Sequence, residues 1–492
     1  MVKKAASTIT LSLLLIGCGS QQTPISGVKP TSPSTPASAF NGLDVAGQPN
    51  MVKHHITIPP EETLPIQLKS TLQSQSLLPA WTGPRQFVSG IDNNNYNSWT
   101  FDANSNGELF AQEYKSIMNK DQPLELSKYS STGQLLASQK SYNDGSGNGL
   151  RFPTGGARHW LAVTEDGPQE EAYQIFDSYA GVYYDNTPAD VSPYKFLAEI
   201  YSSSLVPLPA TNDPLFPLFS NESIRSKYQD RITVKSGKKG FVFSGANDKN
   251  VLISEFSHQT WNEVDGLYQT QFLAPAELPN TQLESVVDVA SDGSIYSAIF
   301  APYLPNCVNY RCPAYAVLTK FINGQIEWQD YWEMGDSVSL MDIAANKDGV
   351  SLLVNKVNPN GPYEQSNLLN FSSNGAALSN ARIPIEELRS SLTYLPEYLR
   401  YNYAPELTGL KTDDTGEILA FNKNNILAGN LKDGFLHSFL KDDGRAHPNN
   451  SDPVAFIQDI VFKSGYIYAH EPAYNSVKND TIIPLDRNLQ PR

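Results

Sequence analysis

Basic residues are scarce in this chain: 36 Lys and Arg stand against 51 Asp and Glu over 492 residues, a formal charge of −15. Displacing counterions from phosphates takes a basic face, so nucleic acid is excluded as a partner. Charged residues of both signs make up only 18% of the sequence and hydrophobic residues 40%, which suits neither a coiled coil nor a disordered chain. Only 3 cysteines are present. The histidines (His54, His55, His159, His258, His437, His447, His470) fall singly apart from the first pair. Spacing therefore assembles neither a metal cluster nor a nucleophile triad. Also missing are a Gly-x-Ser-x-Gly elbow, a His-Glu-x-x-His helix, a phosphate loop ending in Gly-Lys-Ser/Thr and a dinucleotide Gly-x-Gly-x-x-Gly. What the chain has in quantity is turn and strand formers, with 32 Gly, 34 Pro and 25 Tyr. The length allows about two to four domains or one large repeat fold.

The first residues, MVKKAASTITLSLLLIGC, place Lys3 and Lys4 ahead of an apolar stretch too short to span a bilayer as a mature helix, which is the pattern of an export signal. Leu15-Ile16-Gly17-Cys18 resembles the lipobox of bacterial lipoprotein precursors. The resemblance implies cleavage before Cys18 and acylation of that cysteine. Gly19 in place of Asp implies passage to the outer membrane, so the expected location is the bacterial cell envelope, lipid-anchored, on its periplasmic or surface side. Removing residues 1–17 takes Lys3 and Lys4 with them and deepens the charge to −17. Anionic head groups repel such a chain, so the lipid must be what holds it to the membrane. Residues 19–40 are mostly Ser, Thr, Pro, Gln and Gly and cannot bury a core. The organisation read from this is a signal over 1–17, a disordered tether over 18–60, an irregular lead-in over 61–84 and a folded body over 85–492.

With Cys18 acylated, Cys307 and Cys312 remain, close enough to close a small disulfide loop in an oxidising compartment. Two thiolates with no neighbouring histidine leave zinc under-coordinated.

The body repeats. Strand, glycine-containing turn, strand recurs with turn glycines at Gly107, Gly167, Gly240, Gly293, Gly349, Gly416 and Gly465, about every 60 residues. Each unit carries a second hairpin, as at Leu126-Ser127-Lys128-Tyr129 before Gly133 and Leu318-Thr319-Lys320-Phe321 before Gly324. Two hairpins per period make four strands, and a four-stranded unit repeated about seven times predicts an all-β fold, a β-propeller of about seven blades. The paired hairpins resemble those of bacterial β-propeller repeat proteins. Gly324-Gln325-Ile326-Glu327-Trp328 is similar to the Gly-x-x-x-Trp of quinoprotein-type blades, in one unit only. These resemblances imply a fold and no activity.

Three places carry candidate chemistry. Asp288, Asp342 and Asp459 take equivalent inner-strand positions, with Thr100 and Gly409 in that place in other units. Such aspartates either line an acidic channel that binds a cation or polarises a substrate, or accept hydrogen bonds from turn amides in their own blades. Asp102, Asn104, Asn106 and Glu113 satisfy calcium-loop spacing, but Asn-Tyr-Asn-Ser-Trp-Thr-Phe before them is no incoming helix, and a plain Asn-rich turn is the competing reading. Residues 384–406 space Ile385, Leu388, Leu392, Leu395 and Leu399 as a helix does and add Tyr394, Tyr398, Tyr401 and Tyr403. This helical insertion either presents a protein- or carbohydrate-binding face or packs on a rim. The Gly-rich stretch 143–159, with Arg151, Arg158 and His159, suits an anion nest but lacks the context of a nucleotide loop.

No cofactor is predicted beyond the candidate calcium ion. The expected function is a membrane-anchored binding or scaffolding module with a protein or glycan partner. The alternative is a propeller enzyme, a polysaccharide lyase or hydrolase or a lactonase, using the channel aspartates or calcium.

Overall fold

In a computed structural model, the strands among the described residues gather into seven sheets, six of them assembled from four or five strands and one from three. The structure describes residues 54–66, 78–88, 91–92, 95–116, 125–140, 159–164, 171–179, 194–208, 216–217, 231–238, 240–246, 251–257, 284–301, 313–323, 325–336, 338–357, 364–386, 406–440, 457–472 and 479–492. All of these lie in the compact unit Gly42–Arg492. Cys18, Cys307, Cys312, Arg151, Arg158, Gly167 and the four tyrosines Tyr394, Tyr398, Tyr401 and Tyr403 lie outside them, as does residues 387–405 of the predicted helical insertion. No helix among the described residues is long and apolar enough to cross a membrane.

Apart from short strands contributed by residues before 95, each sheet is an antiparallel meander in chain order. The first strands of the seven are Asn95–Ala103, His159–Val163, Arg231–Ser236, Glu284–Val289, Val338–Asn346, Gly409–Thr412 and Asp459–Lys463. Each of these neighbours the first strand of the next sheet, and the seventh neighbours the first. The ring is closed, and the body is propeller-like. Four of the seven predicted turn glycines, Gly107, Gly293, Gly416 and Gly465, sit at left-handed φ, which a side chain would strain.

Because each sheet is sandwiched between two others, its middle strands are apolar on both faces. Ile418, Leu419, Ala420 and Phe421 are all buried. Ile418 and Ala420 pack with Leu353, Leu368 and Leu410 toward the fifth sheet, whereas Leu419 and Phe421 pack with Ile460 and Phe462 toward the seventh. Strict alternation of apolar and polar residues is absent for this reason.

Polar clips recur at these interfaces. Lys128 donates to the Ser203 carbonyl of the second sheet at 3.2 Å, pairs with Glu108 at 2.8 Å and lies 5.1 Å from the Phe110 ring. Lys320 repeats the arrangement between the fourth and fifth sheets, with Ser373 at 3.0 Å, Glu327 at 2.7 Å and Tyr296 at 5.7 Å. Trp328, of the quinoprotein-like stretch, donates its indole N–H to the same Ser373 carbonyl at 2.9 Å. Its role here is to join two sheets.

The segment ahead of the repeats runs along the outside of the ring. His54–His55 pairs in parallel with Gln325–Asp336, Glu61–Thr63 with Ala377–Arg382, and Ile66 bridges to Phe435. Gln86–Val88 then supplies the outer antiparallel strand of the seventh sheet. Residues read from composition as the end of a tether and an irregular lead-in thus contribute edge strands to consecutive sheets. Ile56, Ile58, Leu64 and Ile66 drop into the inter-sheet cores, and Glu61 binds Lys356, Gln365 and Asn367. A belt of this kind covers sheet edges that would otherwise invite pairing with another chain.

Candidate functional site: the axial cavity

The inner strands enclose a cavity of about 680 Å³. All three aspartates predicted for the channel line it, and the structure brings them together around one side chain, Lys411 of the sixth sheet. Asp459 Oδ1 lies 3.4 Å from Lys411 Nζ. Burial opposes the charge on Lys411, but the carboxylates of Asp459, Asp342 and Asp288 outweigh it and raise its pKa. Burial likewise opposes ionisation of Asp459, and Lys411 and Lys235 overcome it and hold that carboxyl below its usual range. The chain supplies its own cation where a bound one was considered. Six acidic and five basic side chains line the cavity, so the acidity of the whole sequence is not concentrated there.

Each aspartate also has backbone work. Asp342 accepts from the Ile343 amide and, at 2.9 Å, from the Leu410 amide of the next sheet. Asp288 accepts from Ala345 of the next sheet at 2.8 Å. Asp459 accepts from Ile460 at 2.8 Å. Asp102 completes the pattern in the first sheet, accepting from Ala103 and from Val163 of the second sheet at 2.8 Å, and from the Ser236 hydroxyl of the third. The equivalent in the first unit is therefore Asp102 and not Thr100. Turn length explains the difference, since five residues separate the strands at 104–108 and only two at Lys347-Asp348, which shifts a count from the glycine. Burial raises the pKa of Asp102, with Lys463 and its three hydrogen bonds working against that.

The calcium-loop residues do not converge. Asp102 is committed to the inter-sheet bonds just given, and Asn104 Oδ1 accepts the amides of Asn106 and Glu108, capping the turn. Glu113 sits across from Trp99 on the returning strand, about 10 Å along the ladder from Asp102. A hairpin carries the twelfth residue away, where an outgoing helix would return it. Among the described residues no three His, Cys, Asp or Glu side chains are placed to hold a metal ion.

Lys411 and Lys235 were missed by motif reasoning. The available signal was a lysine on a first strand, in Leu410-Lys411-Thr412 and in Thr233-Val234-Lys235.

At one end of the cavity Arg487 reaches Asp413 at 3.0 Å and Glu417 at 3.5 Å. Burial pushes the Glu417 carboxyl up to about 7; Arg487 offsets this, and Asp413 and Asp486 add to it. The folded chain then holds a proton that the unfolded chain has lost between pH 4.5 and about 7, so this group's contribution to stability falls as pH rises through that window. Glu417→Gln is expected to be more stable than the unsubstituted chain by about 2 kcal/mol at pH 8 and to lose that advantage at pH 4, read by urea denaturation. An equal difference at both pH values would contradict the assignment.

No family model matches the sequence, and no curated protein matches it. Solved structures are similar in outline. The β-propeller domain of the trilobed protease from Pyrococcus furiosus aligns at 8% identity and TM-score 0.41 over 79% of this chain and 95% of that one. The polysaccharide lyase Uly1 aligns at 10% identity and TM-score 0.45 over 92% and 95%. The acylaminoacyl peptidase of Pyrococcus horikoshii aligns at 9% identity and TM-score 0.41 over 81% of this chain, which spans about half of the peptidase at 51%. Similarity at this level transfers no activity.

Proposed function

We propose that the chain is a lipid-anchored envelope protein whose seven sheets are the blades of one propeller, and that it acts as a binding or scaffolding module. Cys18 is the acylated residue in this reading, Cys307 and Cys312 form a disulfide, and the tyrosines of 384–406 belong to the ligand-binding face. What supports binding over catalysis is the employment of the inner aspartates. Among the described residues, oxygens of Asp342 and Asp288 take inter-sheet amides and Asp459 pairs with Lys411, which employs these carboxylates in the framework and not as the acid and base of glycosidic cleavage.

The test is crosslinking of the full chain in intact envelopes beside a survey of the purified chain on polysaccharides, peptides and lactones. The expected result is a discrete adduct, lost in Cys18→Ala when the protein leaves the membrane, and no turnover. Sustained product formation from any of those substrates would overturn the proposal.

A further inference from the structure

In an antiparallel meander the turn between the first two strands and the turn between the third and fourth fall at the same end of the sheet. Neighbouring sheets point the same way round the ring. The Lys347 amide, in the first turn of the fifth sheet, donates to the Asp414 side chain in the first turn of the sixth at 3.4 Å, and the Lys128–Ser203 and Lys320–Ser373 clips join second hairpins of adjacent sheets. These turns therefore share one end of the ring, called here the turn end.

Among the described residues six large hydrophobic side chains are prominently exposed, and five of them, Leu135, Leu136, Val206, Leu378 and Leu431, sit in or directly beside third-to-fourth-strand turns at the turn end. The sixth, Val88, pairs with Asn479, the first residue of a third strand, and so lies at the other end. A lone aliphatic residue on a surface needs no explanation, whereas a set gathered at one end does. The five belong to the first, second, fifth and sixth sheets. Side chains dispersed over hairpin tips form no groove for a peptide, but a flat surface meets them together.

A bilayer is such a surface. The 36 residues from Cys18 to His54 leave it within reach of the ring. His54–His55 runs parallel to Gln325–Asp336, a fourth strand that starts at the turn end, so the chain comes to His54 from the side of that end. Ala377–Arg382 finishes and Gly409–Thr412 begins at the opposite end, which is where the tyrosine-bearing segment is attached.

Resting on the lipid-anchored reading, we propose that the turn end of the ring is a membrane-facing surface, with Leu135, Leu136, Val206, Leu378 and Leu431 dipping among the head groups of the bilayer that holds the Cys18 lipid. The tyrosine segment is then attached on the side turned away from the membrane.

Nitroxide labels at Leu378→Cys and at Val88→Cys test this, each in the full acylated chain on neutral phosphatidylcholine–phosphatidylethanolamine vesicles, with the unsubstituted chain as the blank. The measurement is access to oxygen, which concentrates in lipid, against access to a nickel chelate, which stays in water. On vesicle binding the oxygen-to-nickel ratio at Leu378→Cys is expected to rise at least about threefold and that at Val88→Cys to stay level. Both positions are exposed, so neither substitution disturbs the core. Equal ratios at the two ends would overturn the inference. So would low access to both reagents at Leu378→Cys, which would put a second copy or another protein on that end. A chain that sediments with the vesicles and gives equal ratios leaves the anchor standing without this surface, whereas one that does not sediment removes the anchor reading and the inference together.

Discussion

Tyr468→Ala is expected to lower the free energy of unfolding by about 3–5 kcal/mol, the range for truncating a large aromatic at a site that cannot collapse. Tyr468 is fully buried where the seventh sheet meets the first. Its ring meets Trp81 edge-on with centroids 5.6 Å apart, and the Arg492 guanidinium lies 5.3 Å from it. Its hydroxyl donates to the Gly107 carbonyl of the first sheet at 2.6 Å. Losing the ring opens a void at the joint where the last strands of the chain meet the first, a joint that Gln86–Val88 clasps from the outer edge of the seventh sheet. Tyr468→Phe keeps the ring and removes only the hydroxyl, leaving a buried carbonyl without its donor, and is expected to cost about 1–2 kcal/mol. Urea denaturation of both variants is the measurement. Should the alanine variant not fold, the phenylalanine variant still decides. A midpoint unchanged in the phenylalanine variant would mean that this bond does not close the ring.

Deleting residues 54–66 is expected to have the second large effect. Ile56, Ile58, Leu64 and Ile66 leave the inter-sheet cores, and at about 1–2 kcal/mol for each partly buried aliphatic side chain the loss reaches several kcal/mol. The deletion also bares the outer strands of the fourth, fifth and sixth sheets, whose free amides and carbonyls then seek partners. Light scattering should show concentration-dependent association that the full chain does not show. Gly434→Ala is the local version: its φ is +77° and a β-carbon there would lie 1.8 Å from the Pro65 carbonyl oxygen, so the belt must shift. A deleted chain as stable and as dispersed as the full one would reduce the belt to decoration.

The hairpins were legible because glycine at a positive φ is a local requirement written in one residue, and because paired turns repeat. Lys128 and Lys320 stood in the quoted motifs, yet their partners Ser203 and Ser373 belong to other sheets, and no local pattern announces a bond across 53 or 75 residues. The belt was invisible for a related reason. Ile-Thr-Ile-Pro-Pro-Glu-Glu has no run long enough to read as a strand, and its short pairings depend on edges that form far along the chain. At the cavity, the three aspartates were legible as a set, whereas Lys411 became significant only once the ring placed it among them.

The belt also fixes an order of events. Its strands are made first, but His54 waits for Asp330, Glu61 for Asn380, and Gln86 for a strand in which its side-chain partner, Asn479, lies 393 residues on. Closing loops of that length is slow, and no early piece of the chain can complete its own edge. Assembly therefore finishes only after the last sheet exists. The first strands of the chain become its last contacts.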